Sequence, residues 1–193
     1  GYEVDGQHFD KVISTIPLQE LHKTLPNVPD AVAGAFNRLG YTSLASIIVA
    51  IDAPPRTEQS RVYFPHPETG PFTRLTHLSN YSPGNAPEGA SSVMLEVTYR
   101  GDLKIDQNYL DAVVENVVDC GIADKEQVLF AKAFQNKYAY ILYLQDLEEN
   151  LETVKSWLAS QDLDILGRFG NYDYFNSDQC IKAVMDYVAE LPH

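Results

Sequence analysis

The chain has 193 residues, with 27 acidic and 14 basic side chains and a formal net charge of −13 at pH 7. An acidic excess of this size excludes the basic surface that nucleic-acid binding requires. Hydrophobic residues make up 45% of the sequence and charged residues 21%, so the chain has the apolar material for a core and is not a disordered tail.

The cellular location is indicated by patterns that the sequence lacks. No apolar run approaches the roughly 20 residues that span a bilayer, and the N-terminal segment does not have the pattern of a signal peptide. The two cysteines, Cys120 and Cys180, are too few for a disulfide framework. We therefore expect a cytoplasmic protein without a membrane span. The sequence opens at Gly1 without Met, inside what resembles a hairpin, so we expect it to be part of a longer protein.

Turn residues and hydrophobic periodicity divide the chain into strands and helices. In chain order, the pattern predicts strands over 2–4 and 8–14, helices over 18–25 and 30–38, strands over 44–51, 62–64 and 72–79, a loop over 82–92, a strand over 93–99, a helix over 107–119, a strand over 128–138, a helix over 145–160, a strand over 165–169 and a helix over 177–191. Strands crowd the middle of the chain, with helices between and after them. This order predicts an α+β fold, a mostly antiparallel sheet flanked by helices.

Some of these elements carry specific local expectations. Asp30 is expected to cap the N-terminus of the second helix, and Asn176 or Ser177 that of the last helix. The run 44–51 is expected to be a buried strand. The strand over 93–99 is expected to be half-buried, because apolar and polar residues alternate along it.

Common cofactor and catalytic motifs are absent from the sequence. The eleven glycines form neither the G-x-G-x-x-G pattern of a dinucleotide site nor a phosphate-binding P-loop. No G-x-S-x-G elbow is present, and the five histidines have no metal-ligand spacing with Cys, Asp or Glu. We therefore predict no metal site and no catalytic residue, and we do not expect this chain alone to hold a dinucleotide in the usual way.

The segment from Gly167 to Asp178, GRFGNYDYFNSD, combines several features of an anion site. A glycine-framed turn continues through tyrosines and leads into the last helix. Glycines allow a ligand to approach the backbone, Arg168 can pair with a phosphate, and the N–H groups at a helix N-terminus favour an anion. The same residues also suit an ordinary strand-to-helix turn with surface tyrosines.

This segment resembles the C-terminal flavin-contacting motif of UDP-galactopyranose mutases, G-R-L-x-x-Y-x-Y-x-D-M-D leading into a helix. The residues that match it are Arg168, Tyr172, Tyr174 and Asp178, and those that depart from it are Phe169, Asn176 and Ser177. Residues 71–75, PFTRL, resemble the P-Y-T-R-I strand of the same family. Residues 9–17, FDKVISTIP, resemble the D-x-V-I-x-T-x-P strand of flavin amine-oxidase-like proteins, and KYAY at 137–140 lies where the family has a tyrosine-containing segment.

The resemblance implies the C-terminal half of an FAD-dependent flavoprotein, with the G-x-G-x-x-G unit outside this chain. It implies a returning strand of the FAD domain at 1–17, a helical connection at 18–40, a substrate domain at 41–162 and a strand, turn and helix that contact FAD at 163–193. The implied cofactor-binding residues are Gly167, Arg168, Tyr174, Asn176, Ser177 and Asp178. The implied substrate-binding residues are Arg74, Tyr140 and Tyr174. FAD would belong to the full-length protein, and this chain alone would bind no FAD and be inactive.

Three functions remain open at this point. The first is a full-length FAD-dependent UDP-sugar mutase, an isomerase that interconverts UDP-galactopyranose and UDP-galactofuranose or performs related nucleotide-sugar chemistry. The second is an FAD-dependent oxidoreductase of the amine-oxidase or protoporphyrinogen-oxidase type, and the third is a non-catalytic binding domain. Arg74 also has two interpretations, because it can pair with Glu96 across an antiparallel sheet instead of binding a phosphate. The expected partners are a small-molecule substrate and the N-terminal FAD-binding part of the same chain.

Overall fold

The computed structural model describes residues 2–66, 68 and 70–191, so Gly1, on which the expectation of a longer protein rests, lies outside the described residues. The strands are β1 (Tyr2–Val4), β2 (Gln7–Phe9), β3 (Ile13–Ser14), β4 (Tyr41–Ile51), β5 (Arg61–Tyr63), β6 (Arg74–His77), β7 (Ser91–Tyr99), β8 (Val128–Ile141) and β9 (Asp164–Ile165). The helices are α1 (Leu18–Thr24), α2 (Asp30–Arg38), α3 (Gln107–Asp119), α4 (Leu147–Ser160) and α5 (Ser177–Glu190).

The chain divides into two compact units. The sheet unit is the continuous stretch 42–139, and the split unit combines residues 1–41 with residues 140–193. Helix α4, which falls within the predicted substrate domain 41–162, is grouped with the split unit. The four predicted domain boundaries stay predictions.

The sheet unit is built on a five-stranded sheet in the order β5-β6-β7-β4-β8. Strand β5 pairs with β6, β6 with β7, and β7 with β4, each in the antiparallel direction. Branched residues along β4 and β7 favour an extended backbone, and residues two positions apart share a face. The mostly antiparallel sheet and its helices confirm the predicted α+β class.

An apolar core joins this sheet to α3. Alternate residues of β4 enter the core, and α3 contributes Val113 and Val117, which lie four positions apart on one side of the helix. Asp106 caps α3, since its carboxylate accepts a hydrogen bond from the Tyr109 backbone N–H at 3.2 Å. The buried core residues are Ala45, Ile47, Val49, Ile51, Phe72, Leu75, Val93, Leu95, Val97, Val113, Val117 and Ala123.

The split unit has a second core, to which α1, α2 and α4 contribute. Phe36 of α2 is fully buried there, with its ring stacked on His22 at 5.0 Å between centroids and Trp157 packed edge-on at 6.4 Å. Strands β3 and β9 pair in parallel over two residues, which joins segments from opposite ends of the sequence.

Helix α5 of the split unit buries none of its residues Ser177–Glu190. Its apolar residues recur at helical spacing and remain exposed: Ile181, Val184, Met185 and Val188. Tyr187 on α5 donates a hydrogen bond to the Asp164 carboxylate. Among the described residues, no helix is long and apolar enough to cross a membrane.

Several predicted strands are too long. The run 8–14 is extended only at β2 and β3, and 72–79 only at β6. The prediction of a strand over 165–169 is wrong beyond Ile165, because β9 has only β3 to pair with and the chain then bends into a turn.

Three local expectations are also wrong. Pro29 is the N-cap of α2, and Asp30 is its first helical residue, where a carboxylate interacts favourably with the helix dipole. Strand β4 is buried only at every second residue, because one face of the sheet meets the core. Strand β7 is buried along most of its length and is not half-buried as expected, since even Glu96, on its polar side, is only 4% exposed. The expected cap of α5 by Asn176 is confirmed.

Candidate functional site

Three predicted site residues, Arg168, Tyr140 and Tyr174, come together in the split unit. The two tyrosine rings stack with centroids 6.0 Å apart and an angle of 18° between their planes. The guanidinium carbon of Arg168 lies 4.3 Å from the Tyr174 ring centroid and 5.4 Å from that of Tyr140. Cation–π attraction of this kind contributes roughly 0.5–2 kcal/mol per pair. We call these three residues the arginine cluster.

The guanidinium of Arg168 retains unused hydrogen-bonding capacity. Its Nη1 donates to the Phe175 carbonyl oxygen at 2.9 Å. Its Nε and Nη2 are buried and have no hydrogen-bond partner among the described residues. A buried donor without an acceptor costs about 1–3 kcal/mol, and more when it is charged. The arginine cluster therefore presents two nitrogen donors, Nε and Nη2, that suit the oxygens of a phosphate or carboxylate.

A glycine-dependent turn positions Arg168. Gly167 has a φ of +89°, in the left-handed region that glycine adopts most readily. A Cβ atom on Gly170 would lie 2.1 Å from the Leu166 carbonyl oxygen, so no larger residue fits there. The sequence hypothesis gave both glycines a role in ligand approach, but at Gly170 the close backbone contact explains the residue. A Cβ on Gly167 would meet no atom within 4 Å.

The remaining predicted cofactor residues, Asn176, Ser177 and Asp178, are exposed at the start of α5. Asn176 and Gln179 form a capping box, in which the Asn176 backbone N–H donates to Gln179 Oε1 at 2.8 Å. Part of the donor capacity at this helix end is thus used within the helix. The backbone N–H groups of Ser177 and Asp178 precede the first intrahelical hydrogen bond, and a role for them in cofactor binding stays a prediction.

Tyr172, which matches the motif, anchors the turn. It is 2% exposed, has a φ of +59°, and donates its hydroxyl hydrogen to the Gly40 carbonyl oxygen. Burial raises the pKa of the Tyr172 hydroxyl well above its ordinary value. A buried phenol bonded to backbone serves the conformation of the split unit, and it stays protonated near neutral pH.

Arg74 lies in the sheet unit, opposite Glu96 in the register of β6 and β7. Its Nη2 donates to Glu96 Oε1 in a salt bridge. The structure thus has the cross-strand pair that was the alternative interpretation of Arg74, and its substrate-binding role stays a prediction.

Sequence reasoning missed Tyr63, which faces Arg74 across the β5–β6 pair. The Arg74 guanidinium carbon is 6.0 Å from the Tyr63 ring centroid, and hydrogen bonding to Arg74 lowers the pKa of the Tyr63 hydroxyl. Only the register of the β5–β6 pair places Tyr63 opposite Arg74, and the sequence pattern did not determine that register.

The family model described as flavin containing amine oxidoreductase matches residues 2–140, about seven tenths of the chain. The chain belongs to the flavin-containing amine oxidoreductase family. This membership confirms the flavoprotein relation that the motifs indicated. The sequence has no significant match among curated proteins.

Several solved structures have a fold similar to that of this chain. A crystal structure of reduced UDP-galactopyranose mutase matches 95% of this chain and 42% of its own length, with 25% identity and a TM-score of 0.83. A putative protoporphyrinogen oxidase from Exiguobacterium sp. 255-15 matches 93% of the chain and 40% of its own length, with 15% identity and a TM-score of 0.70. The fatty acid isomerase of P. acnes that produces CLA matches at 14% identity and a TM-score of 0.60, over 95% of the chain and 42% of its own length. The chain thus spans about two fifths of the length of these proteins.

Family membership implies FAD as the cofactor of the full-length protein. The described residues fit part of such a group, because the two unpartnered nitrogen donors of Arg168 match anionic oxygens. The exposed N-terminus of α5 adds the favourable end of a helix dipole. The residues of this chain that would hold FAD are Arg168, Tyr174 and the first turn of α5.

Proposed function

We propose that the full-length protein is an FAD-dependent enzyme that acts on a nucleotide sugar, in the manner of UDP-galactopyranose mutase. The arginine cluster carries this proposal, since it holds a charged fork with two buried, unpartnered donors against two tyrosines. When bound, FAD would supply the redox chemistry of the ring system, and the residues of this chain would bind and orient the reactants.

The arginine cluster supplies charge and fixed geometry for a diphosphate or for the flavin phosphates. Stacking on Tyr174 and the bond to the Phe175 carbonyl restrict the Arg168 fork, so little entropy is lost when an anion binds. Tyr140 and Tyr174 can donate their hydroxyl hydrogens to the same anion. In a chain of net charge −13, such a local cation is needed to attract UDP.

The proposal includes an N-terminal FAD-binding part of the same protein that covers α5. The apolar residues of α5 are exposed, with Ile181 at 62% and Val188 at 55%. A contiguous apolar helix face of this kind is typical of an interface. We also propose a cytoplasmic location for the full-length protein, in keeping with its nucleotide-sugar substrate.

One observation favours the oxidoreductase alternative. The salt bridge to Glu96 balances the charge of Arg74, so Arg74 is less suited to a diphosphate than the sequence indicated. An enzyme of the protoporphyrinogen-oxidase type would act on a less polar substrate and would not need Arg74 as a second phosphate ligand.

The test uses the full-length protein purified with FAD. We expect UDP to raise its melting temperature, because a ligand that binds only the native state stabilises it. We also expect conversion between UDP-galactopyranose and UDP-galactofuranose under reducing conditions, measured by chromatography. The Arg168→Lys variant should lose the planar fork and weaken UDP binding, or FAD retention, by about tenfold or more. The matched control is Arg100→Lys, at an exposed arginine of the sheet unit, which should change neither.

The outcomes separate the three candidate functions. A yellow protein that shows no UDP-dependent shift contradicts the mutase proposal and supports the oxidoreductase. A protein that retains no FAD supports the binding domain. An effect of Arg100→Lys equal to that of Arg168→Lys would show that general charge, not the arginine cluster, attracts the ligand.

A further inference from the structure

A cavity of about 390 Å³ lies within the sheet unit, separate from the arginine cluster. Its lining includes the apolar residues Val62, Phe64 and Ile122 and polar residues such as His77, Arg56 and Cys120. Volumes of a few hundred cubic ångströms, with mostly apolar walls and a few polar groups, are typical of small-molecule sites. None of these residues belongs to the proposed nucleotide-sugar site.

His77 is the unusual member of the lining. Its residue is 5% exposed, and its backbone N–H is bonded to the Ser60 carbonyl oxygen at 2.9 Å. Within the part of the chain that the structure describes, its imidazole has no hydrogen-bond or ion partner. Because His77 lines the cavity, its imidazole can form a hydrogen bond with a molecule bound there.

The charge state of His77 is also set by burial, which lowers its pKa below the ordinary value. A neutral imidazole at pH 7 has one nitrogen that donates and one that accepts. It can therefore exchange hydrogen bonds with a hydroxyl group, which is both donor and acceptor. It supplies no positive charge for an anion.

Arg56, the cationic side chain at this cavity, already has partners. It forms a salt bridge with Asp124 and donates to Gln127 Oε1 at 3.0 Å and to the Gly121 carbonyl oxygen at 3.3 Å. Its charge is thus balanced by a carboxylate. A charged ligand would lose its hydration here without meeting an unpaired opposite charge. An uncharged ligand would have only a small desolvation cost.

We propose that this cavity binds a small uncharged aromatic molecule with one hydroxyl group, of the phenol class. The ring contacts Val62, Phe64 and Ile122, and the hydroxyl exchanges a hydrogen bond with the His77 imidazole. A ligand of seven heavy atoms in such a cavity has an expected Kd of about 1 mM.

The experiment uses the alkylation of Cys120 in the full-length protein as its readout. Cys120 is exposed and lines the cavity, whereas Cys180 lies in the split unit. Iodoacetamide labelling of each cysteine is followed by peptide mass spectrometry, with phenol or benzoate present. We expect phenol to slow the labelling of Cys120 at least threefold and to leave Cys180 unchanged, and benzoate to protect neither. Phenol should also shift the His77 Cε1–H resonance of the unmodified protein.

The variant His77→Phe tests the hydrogen bond, because it keeps a ring of similar size and removes the polar nitrogens. Phenol should no longer protect Cys120 in this variant. The proposal is overturned if phenol fails to protect Cys120 in the unmodified protein, if benzoate protects it equally, or if His77→Phe leaves protection intact. If His77→Phe does not fold, the resonance shift decides alone, and its absence overturns the proposal. No readout involves flavin or UDP, so failure here is distinct from failure of the proposed function.

Discussion

Helices α3 and α5 have the same sequence pattern and opposite environments. Both are amphipathic helices of three to four turns that begin at a polar cap, Asp106 for α3 and Asn176 for α5. Helix α3 buries Val113 and Val117 in the core of the sheet unit. Helix α5 buries none of its residues and exposes Val188.

The difference shows that an apolar stripe predicts a helix and a face to be covered, but not which surface covers it. In the sheet unit, the apolar face of α3 packs against residues from the strands of the same unit. Among the described residues, the split unit fully buries no residue of α5 and leaves its apolar residues Ile181, Met185 and Val188 exposed. Both units have a buried apolar core, but only the split unit holds the arginine cluster and the exposed apolar face of α5.

The largest expected contrast in stability is between two charged pairs, a buried one in the sheet unit and an exposed one in the split unit. Glu96→Gln removes a buried partner of Arg74, and we expect a loss of about 3 kcal/mol in the free energy of unfolding. Asp186→Asn removes the exposed pair between Lys182 and Asp186 on α5, and we expect a change within about 0.5 kcal/mol. Urea denaturation of each variant measures its change in the free energy of unfolding. Similar losses for the two variants would contradict the burial contrast.

A matched valine pair gives a smaller contrast. Val117→Ala leaves a cavity in the core of the sheet unit, and we expect the free energy of unfolding to fall by about 2 kcal/mol. Val188→Ala removes the same two methyl groups from an exposed site, with an expected change within about 0.5 kcal/mol in the 193-residue chain. Thermal melts of both variants check this.

The cost of Val188→Ala can also be compared between the 193-residue chain and the full-length protein. If the proposed N-terminal part covers α5, Val188→Ala should cost about 1–2 kcal/mol there, because Val188 is then buried. An unchanged, negligible cost in the full-length protein would mean that α5 stays exposed, and it would remove the apolar face of α5 as support for the proposed interface.

The smallest expected effect is a dependence on pH in the sheet unit. Burial lowers the pKa of His77, so the unfolded chain binds a proton in a range where the native state does not. The stability contributed by neutral His77 is complete above the unfolded pKa near 6.5 and declines as pH falls below it. Between pH 7 and 5.5 we expect a loss below about 1 kcal/mol. Denaturation of His77→Gln should show a flatter profile, and an identical slope would exclude His77 as the cause.

Much of the fold was predictable because it depends on local signals. Periodicity located α3 at 107–119 with the bounds that the structure has, and it predicted a helix over 145–160, where α4 begins two residues later at Leu147. Asp5-Gly6 marks the turn between β1 and β2, which pair as a hairpin. The short strands were not predictable, because two residues of β3 are extended only where β9 is available as a partner, and β9 lies 150 residues away in sequence.

The candidate site was predictable in its residues but not in its contacts. The motif at 167–178 located Arg168 and Tyr174, and the tyrosine-containing segment located Tyr140. That Arg168 stacks on both tyrosines depends on tertiary structure, as does the pairing of Arg74 with Glu96. Glu96 and Thr98 alternate with apolar residues on β7 as polar residues would on an exposed face, so no pattern in the sequence marks Glu96 as buried.

The interrupted sequence of the split unit has a consequence for the order of folding. The sheet unit is one continuous stretch, so during synthesis it is complete while α4, β9 and α5 have not yet been made. Strands β4 and β8, at its two boundaries, are neighbours in the sheet. Once the sheet has formed, the ends of the flanking segments are already close, and the loop-closure entropy for pairing β3 with β9 falls accordingly. The sheet unit thus acts as a folded linker, and refolding should show a fast phase for the sheet followed by a slower one in which the arginine cluster assembles.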